Sequence, residues 1–265
     1  MSVNKYYQKM SSRNIGILTN KEQGILKRST VAIAGVGGIG GFTAERLVRL
    51  GIGYIKIADP ELFEPTNLNR QFGCYQSTLN KNKAIVIGRI LKDINPFLKL
   101  DIYSEGINKA NVGGFIKGSN VVIEEVDYNA LEATQLLHRE CRREKIHIIT
   151  SFAVGFGCSV FIFSPTGISL DKFLKESIST KGVTQYRLSP QKICPMKLSY
   201  IPKTTSKKIL SGKQEFMPTI SPGVALASVV VATEAAKIIL RKKSTVAAPN
   251  YYFVDLFNHK ITKHK

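Results

Sequence analysis

The sequence predicts an α/β protein built on a doubly wound, mainly parallel sheet with an antiparallel C-terminal extension. Three observations carry this. Short apolar runs alternate with segments of helical composition through the first 150 residues, the pattern of a parallel sheet covered by helices. Gly35-Val36-Gly37-Gly38-Ile39-Gly40 lies between one such run and the start of a helix, where glycines let phosphates approach the helix N-terminus. Asp59 ends the next run, where a carboxylate can accept hydrogen bonds from both hydroxyls of a ribose. The sheet is therefore read as Rossmann-like.

The elements follow in order. Residues 20–27 read as a helix that Thr19 can cap. Val31 to Ala34 is an apolar run typical of a strand buried on both faces. Phe42 to Leu50 has helical composition and stops at Gly51. Tyr54 to Ala58 is the second strand. Residues 60–78 form a long polar connection, and such connections inside a compact domain are usually functional. Asn82 to Ile94 reads as a helix ended by Asn95-Pro96. Strands are expected at Leu98 to Tyr103, Asn120 to Glu124 and Ile146 to Thr150, with a helix from Asn129 to Glu144. Cys158 to Phe163 opens the antiparallel section. Residues 175–219 are polar, basic and without clear periodicity, and are expected to form a long loop or lid. Val224 to Leu240 is a helix suited to burial, and Tyr251 to Asp255 a terminal strand.

Composition narrows the classes. No run approaches the roughly 18 apolar residues of a membrane span, and the first residues lack the apolar stretch of a secretory signal. A cytoplasmic, non-membrane protein is expected. Cys74, Cys141, Cys158 and Cys194 form no C-x-x-C pair, so no structural zinc is expected. The net charge of +19 is uneven: residues 1–165 carry +7 and residues 166–265 carry +12. Between Glu176 and Glu215 there are eight basic residues and no acidic one. That run is either a solvated surface or the face that meets an acidic partner such as tRNA, an acidic peptide or an acidic carrier protein.

The glycine loop and Asp59 fit an NAD-dependent enzyme as well as an ATP-dependent one. Arg70, Lys83 and Asp127 separate the two. Hydride transfer has no departing diphosphate to stabilise, whereas adenylation of a carboxylate does. Arg70 and Lys83 are placed to meet that charge. Asp127, at the end of a strand beside the crevice, is a candidate ligand for Mg²⁺. Asn67 is a candidate for a phosphate or the metal's water shell. The chain then divides into an N-terminal helical arm at 1–28, an ATP-binding unit at 29–165 and a substrate-side region at 166–265 packed on the same core.

In these segments the chain resembles the ThiF/MoeB/HesA adenylyltransferases, which share a fold with ubiquitin-activating enzymes. The resemblance is carried by the glycine loop, Asp59-Pro60-Glu61, Thr66-Asn67-Leu68-Asn69-Arg70-Gln71, Lys83-Ala84, Ile94-Asn95-Pro96 and Asp127-Tyr128-Asn129, and more loosely by Ser221-Pro222-Gly223. It implies that Gly35, Gly37, Gly38 and Gly40 form the nucleotide loop and that Asp59 binds ribose. It implies that Asn67, Arg70 and Lys83 contact the phosphates and that Asp127 binds Mg²⁺. It also implies a homodimer in which Arg13 reaches into the partner's ATP site. Many relatives carry an acceptor cysteine in the crossover loop. Cys194 lies in the matching region, where Lys192 and Lys197 are placed to lower its pKa. The implied activity is adenylation of a carboxylate, on the C-terminus of a ubiquitin-like sulfur carrier or a peptide. Two alternatives stay open: a tRNA threonylcarbamoyladenosine cyclising enzyme of the same fold, and a catalytically silent nucleotide-binding scaffold.

Overall fold

The apolar runs assemble into one eight-stranded sheet in a computed structural model that describes residues 1–127, 130–177, 193–194, 198–211, 213, 217–242 and 246–264. The strands are β1 (Thr30–Ala34), β2 (Tyr54–Ala58), β3 (Lys99–Tyr103), β4 (Val121–Glu124), β5 (His147–Val154), β6 (Gly157–Phe163), β7 (Tyr251–Asp255) and β8 (Lys260–His264). Their order across the sheet is β3-β2-β1-β4-β5-β6-β7-β8. The first five are parallel, and β5 to β8 pair antiparallel.

Strand β1 shows why the sheet reads as apolar runs. All five of its residues are buried, with Val31 and Ile33 facing one core and Ala32 and Ala34 the other. The first core is closed by α3 (Gly38–Leu50), α4 (Lys83–Ile94) and α9 (Ser221–Ile239), through Leu47, Ile87, Leu91, Val231 and Ala235. The second lies under α5 (Val112–Ile116), α6 (Leu131–Arg143) and α7 (Leu170–Ser177), through Phe115, Leu137 and Phe173. Residues after 166 thus complete the same sheet and core through β7, β8 and α9.

Several elements differ from the sequence reading. A first helix, α1 (Val3–Met10), precedes α2 (Asn20–Arg28), whose Thr19 and Glu22 make a reciprocal capping box. Helix α3 starts at Gly38 rather than Phe42, because the glycine loop turns directly into its first turn. Within the expected long loop at 175–219, residues 175–177 continue α7 and Lys203–Leu210 form α8. Within the same expectation, residues 178–192, 195–197, 212 and 214–216 lie outside the described residues. Helix α9 is long and apolar enough to cross a membrane, which the sequence reading missed; half of its apolar window is buried here, and its packing on α3, β5 and β6 is that of a core helix.

The N-terminal arm is held by polar contacts. The buried Tyr7 hydroxyl donates to Gly51 O at 2.6 Å and accepts from Gln23 Nε2 at 2.7 Å. Tyr7→Phe leaves both partners short of a bond in a closed site. It is expected to lower stability by about 1–2 kcal/mol, read as a fall in the urea midpoint at constant m-value. An unchanged midpoint would show that the arm does not depend on this bond.

Candidate active site

The C-terminal ends of β1, β2, β4 and β5 open on a cavity of about 540 Å³, the crevice where doubly wound sheets bind ligands. Gly35 has φ +84°, and a Cβ there would lie 2.1 Å from Glu125 O. A Cβ at Gly40 would lie 1.9 Å from Gly35 O. The two glycines let the loop fold against β4 and let α3 start immediately. Gly35, Gly37 and Gly38 line the cavity, while Gly40 packs beneath the loop. No side chain caps the N-terminus of α3. Its free amides and partial positive charge are left for an anion.

Asp59 lines the cavity and is buried. One carboxylate oxygen accepts from Val36 N and the other from Glu61 N, both at 2.9 Å. Burial pushes its pKa up, while these amide bonds and the charge of Lys83 oppose the rise. Each oxygen keeps a lone pair for a hydroxyl donor. Lys83 opens α4 with its side chain buried and ion-paired to Glu61. A cation at a helix N-terminus opposes the helix dipole, so its place is not explained by helix stability. Arg70 is half-buried and lines the cavity; its Nη1 donates to Thr66 O and Asn69 Oδ1. Asp127 is exposed at the rim just after β4.

Asn67 and Arg13 are placed differently from these. Asn67 is buried, its Oδ1 accepts from Glu64 N at 3.1 Å within its own turn, and it is not among the lining residues. Arg13 is exposed in a single 3-10 turn of the N-terminal arm, away from this chain's cavity.

Cys194 lines the cavity. Burial pushes its pKa up to about 11. Lys192 and Lys197, placed by the sequence reading to lower it, lie outside the described residues. Cys74, Cys141 and Cys158 are also free thiols and are buried.

The cavity also contains residues that the sequence reading gave no role. Gln71 turns inward beside Arg70 and sits over Gly37, with its buried Oε1 lacking a hydrogen-bond partner. Glu125 accepts from Ser151 Oγ at 2.6 Å. Burial holds its carboxyl well above the usual range, the charge of Glu124 adds to this, and the Ser151 bond opposes it. The sequence signal was there: two glutamates end the otherwise apolar run Val121 to Ile123.

The Cys194 thiolate fraction should rise about tenfold per pH unit throughout the range 7 to 9.5. Alkylation of the Cys194 peptide, followed by mass spectrometry, is expected to accelerate without levelling in that range. A plateau below pH 9 would mean an activated thiol.

Comparison with known proteins places the chain. A segment of 131 residues is 30% identical to the tRNA threonylcarbamoyladenosine dehydratase of Haemophilus influenzae and covers 49% of each chain. A segment of 105 residues is 39% identical to ubiquitin-like modifier-activating enzyme 5 of Bombyx mori, covering 39% of this chain and 26% of that one. The chain thus matches about half the length of the first of these relatives and less of the second. The crystal structure of E. coli MccB with ATP superposes with a TM-score of 0.68 at 20% identity, over 92% of this chain and 65% of that one. E. coli tRNA N6-threonylcarbamoyladenosine dehydratase, TcdA, gives 0.66 at 20% identity, over 91% and 98%. These two likenesses speak to the fold. The model of the ThiF family matches residues 11–265, and the chain belongs to that family.

Proposed function

We propose that this protein uses ATP to adenylate a carboxylate and releases pyrophosphate. The observation that carries the reading is the convergence of Arg70, Lys83 and Asp127 with the glycine loop around one cavity. A carboxylate oxygen attacks the α-phosphorus, the bond to the bridging oxygen of the β-phosphate breaks, and the acyl adenylate and pyrophosphate result. The amides that open α3 hold the phosphate under attack. Lys83 and Arg70 meet the charge that grows on the departing diphosphate. Glu61 keeps Lys83 at the cavity wall until phosphate oxygens take its place.

No group of three metal-ligating side chains occurs among the described residues. A magnesium ion would therefore be held by Asp127 together with phosphate oxygens and water, the usual manner for this metal. It would neutralise phosphate charge. Arg13 is read as reaching the site of a second copy in a homodimer.

The carrier of the carboxylate is read as tRNA. Relatives named as tRNA threonylcarbamoyladenosine dehydratases support this, as does the row of exposed lysines on α8 and beside it. A second reading, the C-terminus of a ubiquitin-like protein, is supported by the relatives named ubiquitin-like modifier-activating enzyme 5.

Three measurements test these readings. Calorimetry is expected to show ATP–Mg²⁺ binding in preference to NAD; tight NAD binding with none for ATP–Mg²⁺ would overturn the proposal. Arg70→Ala and Asp127→Ala are each expected to slow ATP–pyrophosphate exchange by about 3 kcal/mol in barrier and to leave the thermal midpoint unchanged, since neither side chain is packed in the core. Near-normal exchange in either variant would remove that residue from the mechanism. Neutralising Lys203, Lys207, Lys208 and Lys213 together is expected to flatten the salt dependence of tRNA binding, reducing the log–log slope by about 3. An unchanged slope would mean that these lysines are merely solvated.

A further inference from the structure

We propose that the cavity takes the carboxylate as the end of an uncharged, apolar acyl body, while the lysines on the outer side of α8 meet the charge of the carrier. This rests on the adenylation reading and names the class of substrate for it.

The walls of the cavity differ from end to end. At the glycine-loop end stand Asp59, Gln71 and both of the cations among the described lining residues, Arg70 and Lys83. The other end is built from Phe152 and Val154 of β5, Leu198 and Ile201 before α8, and Ile209 on α8. The first four of these belong to one apolar cluster. Among the described residues there, the lining hydroxyls are those of Ser206 and of Ser151, which already donates to Glu125 at 2.6 Å.

Three consequences follow for whatever enters. A polar body would give up water against Leu198, Ile201 and Ile209 and find few partners among the described residues there, which is unfavourable. A bare glycine end would leave the same walls uncovered and forgo the burial of apolar surface. A second negative charge beside the reacting carboxylate would face Glu124 and Glu125, which line the cavity between its two ends. An apolar side chain next to the carboxylate avoids all three.

Helix α8 serves both parts of the recognition. Ser206 and Ile209, three residues apart, line the cavity. Lys203, Lys207 and Lys208 are exposed. Charge is therefore read at the surface and the acyl body inside, so a polyanionic carrier and an apolar end group suit the same helix.

The test uses the full chain, Mg²⁺ and a non-hydrolysable ATP analogue in a calorimeter. Binding of the analogue is measured first. N-acetyl-leucine, N-acetylglycine and N-acetyl-aspartate are then titrated into the complex. N-acetyl-leucine is expected to bind at least about tenfold more tightly than either of the others. Ile209→Ser is expected to shrink that preference while leaving the affinity for the analogue as it was. If the analogue binds and N-acetyl-leucine fails to bind, or binds no better than the other two, the apolar substrate class is wrong and adenylation stands. If the analogue itself does not bind, both fall together.

Discussion

The site depends on how the carboxylate of Asp59 is held. Its two oxygens accept from the amides of Val36 in the glycine loop and of Glu61 in the connection after β2. One buried side chain therefore fixes the distance between the glycine loop and the segment that leads to Arg70 and Lys83. Glu61 in turn pairs with Lys83, while Asn82, which caps α4, donates to Asp59 O at 3.1 Å. The start of α4, the glycine loop and the β2 connection are tied at one point. Burial raises the energy of the ionised Asp59, and the two amide bonds offset part of that rise. An alanine here would leave two backbone donors without a partner in a closed site.

The second constraint is the contact of α9 with the loops. A Cβ on Gly223 would come within 2.1 Å of Gly155 O, and one on Gly38 within 3.2 Å of the Val224 side chain. The first turns of α3 and α9 thus touch at the mouth of the cavity. This explains how a helix almost 190 residues after the glycine loop helps to shape the nucleotide end. It also explains why the C-terminal region shares a core with the nucleotide-binding part: β7 and β8 extend the same sheet, and α9 covers β5 and β6.

Much of this was legible in the sequence, for identifiable reasons. Strands buried on both faces, such as Thr30–Ala34, announce themselves as apolar runs, and helices with a polar face, such as Lys83–Ile94, end at clear stops. The cavity-lining glycines, Asp59 and Asp127 follow the ends of apolar runs, while Arg70 and Lys83 are polar residues in the long connection and at the helix start after β2, positions that the order of elements makes legible. What sequence reasoning missed has a different cause. Helix α8 consists of Lys-Thr-Thr-Ser-Lys-Lys-Ile-Leu, with only two apolar residues, so no periodicity marks it. Helix α1 is short, and its single buried residue, Tyr7, is held by hydrogen bonds to Gly51 and Gln23. Asn67 and Arg70 stand in one short motif, yet one side chain closes a turn and the other lines the cavity. Such a division follows from side-chain direction, which spacing in a loop does not specify. Cys194 was read from its place in the expected crossover loop and from neighbouring lysines, and a sequence does not show the burial that pushes its thiol pKa up.

The charge of the cavity is less hostile to a triphosphate than a count of its residues suggests. Its described lining holds six carboxyl groups and two cations, in a protein of net charge +19. Most of those carboxyls already have protein donors: Asp59 the two amides, Glu61 the ammonium of Lys83, Glu105 the amide of Asn111, Glu124 the Val126 amide and the Thr134 hydroxyl, and Glu125 the Ser151 hydroxyl. A carboxylate that accepts from nearby donors projects a weaker field than a bare one, because the donor dipoles oppose its charge at short range. Burial holds Glu125 well above the usual carboxylate range and so disfavours its charged form. Under the proposed reading, the glycine-loop end would be governed by the amides opening α3, Lys83 and Arg70. The described lysines of α8, Lys203, Lys207 and Lys208, are exposed instead, where solvent screens them within about 8 Å, so their charge bears on the outer surface and not on the cavity that Arg70 and Lys83 line.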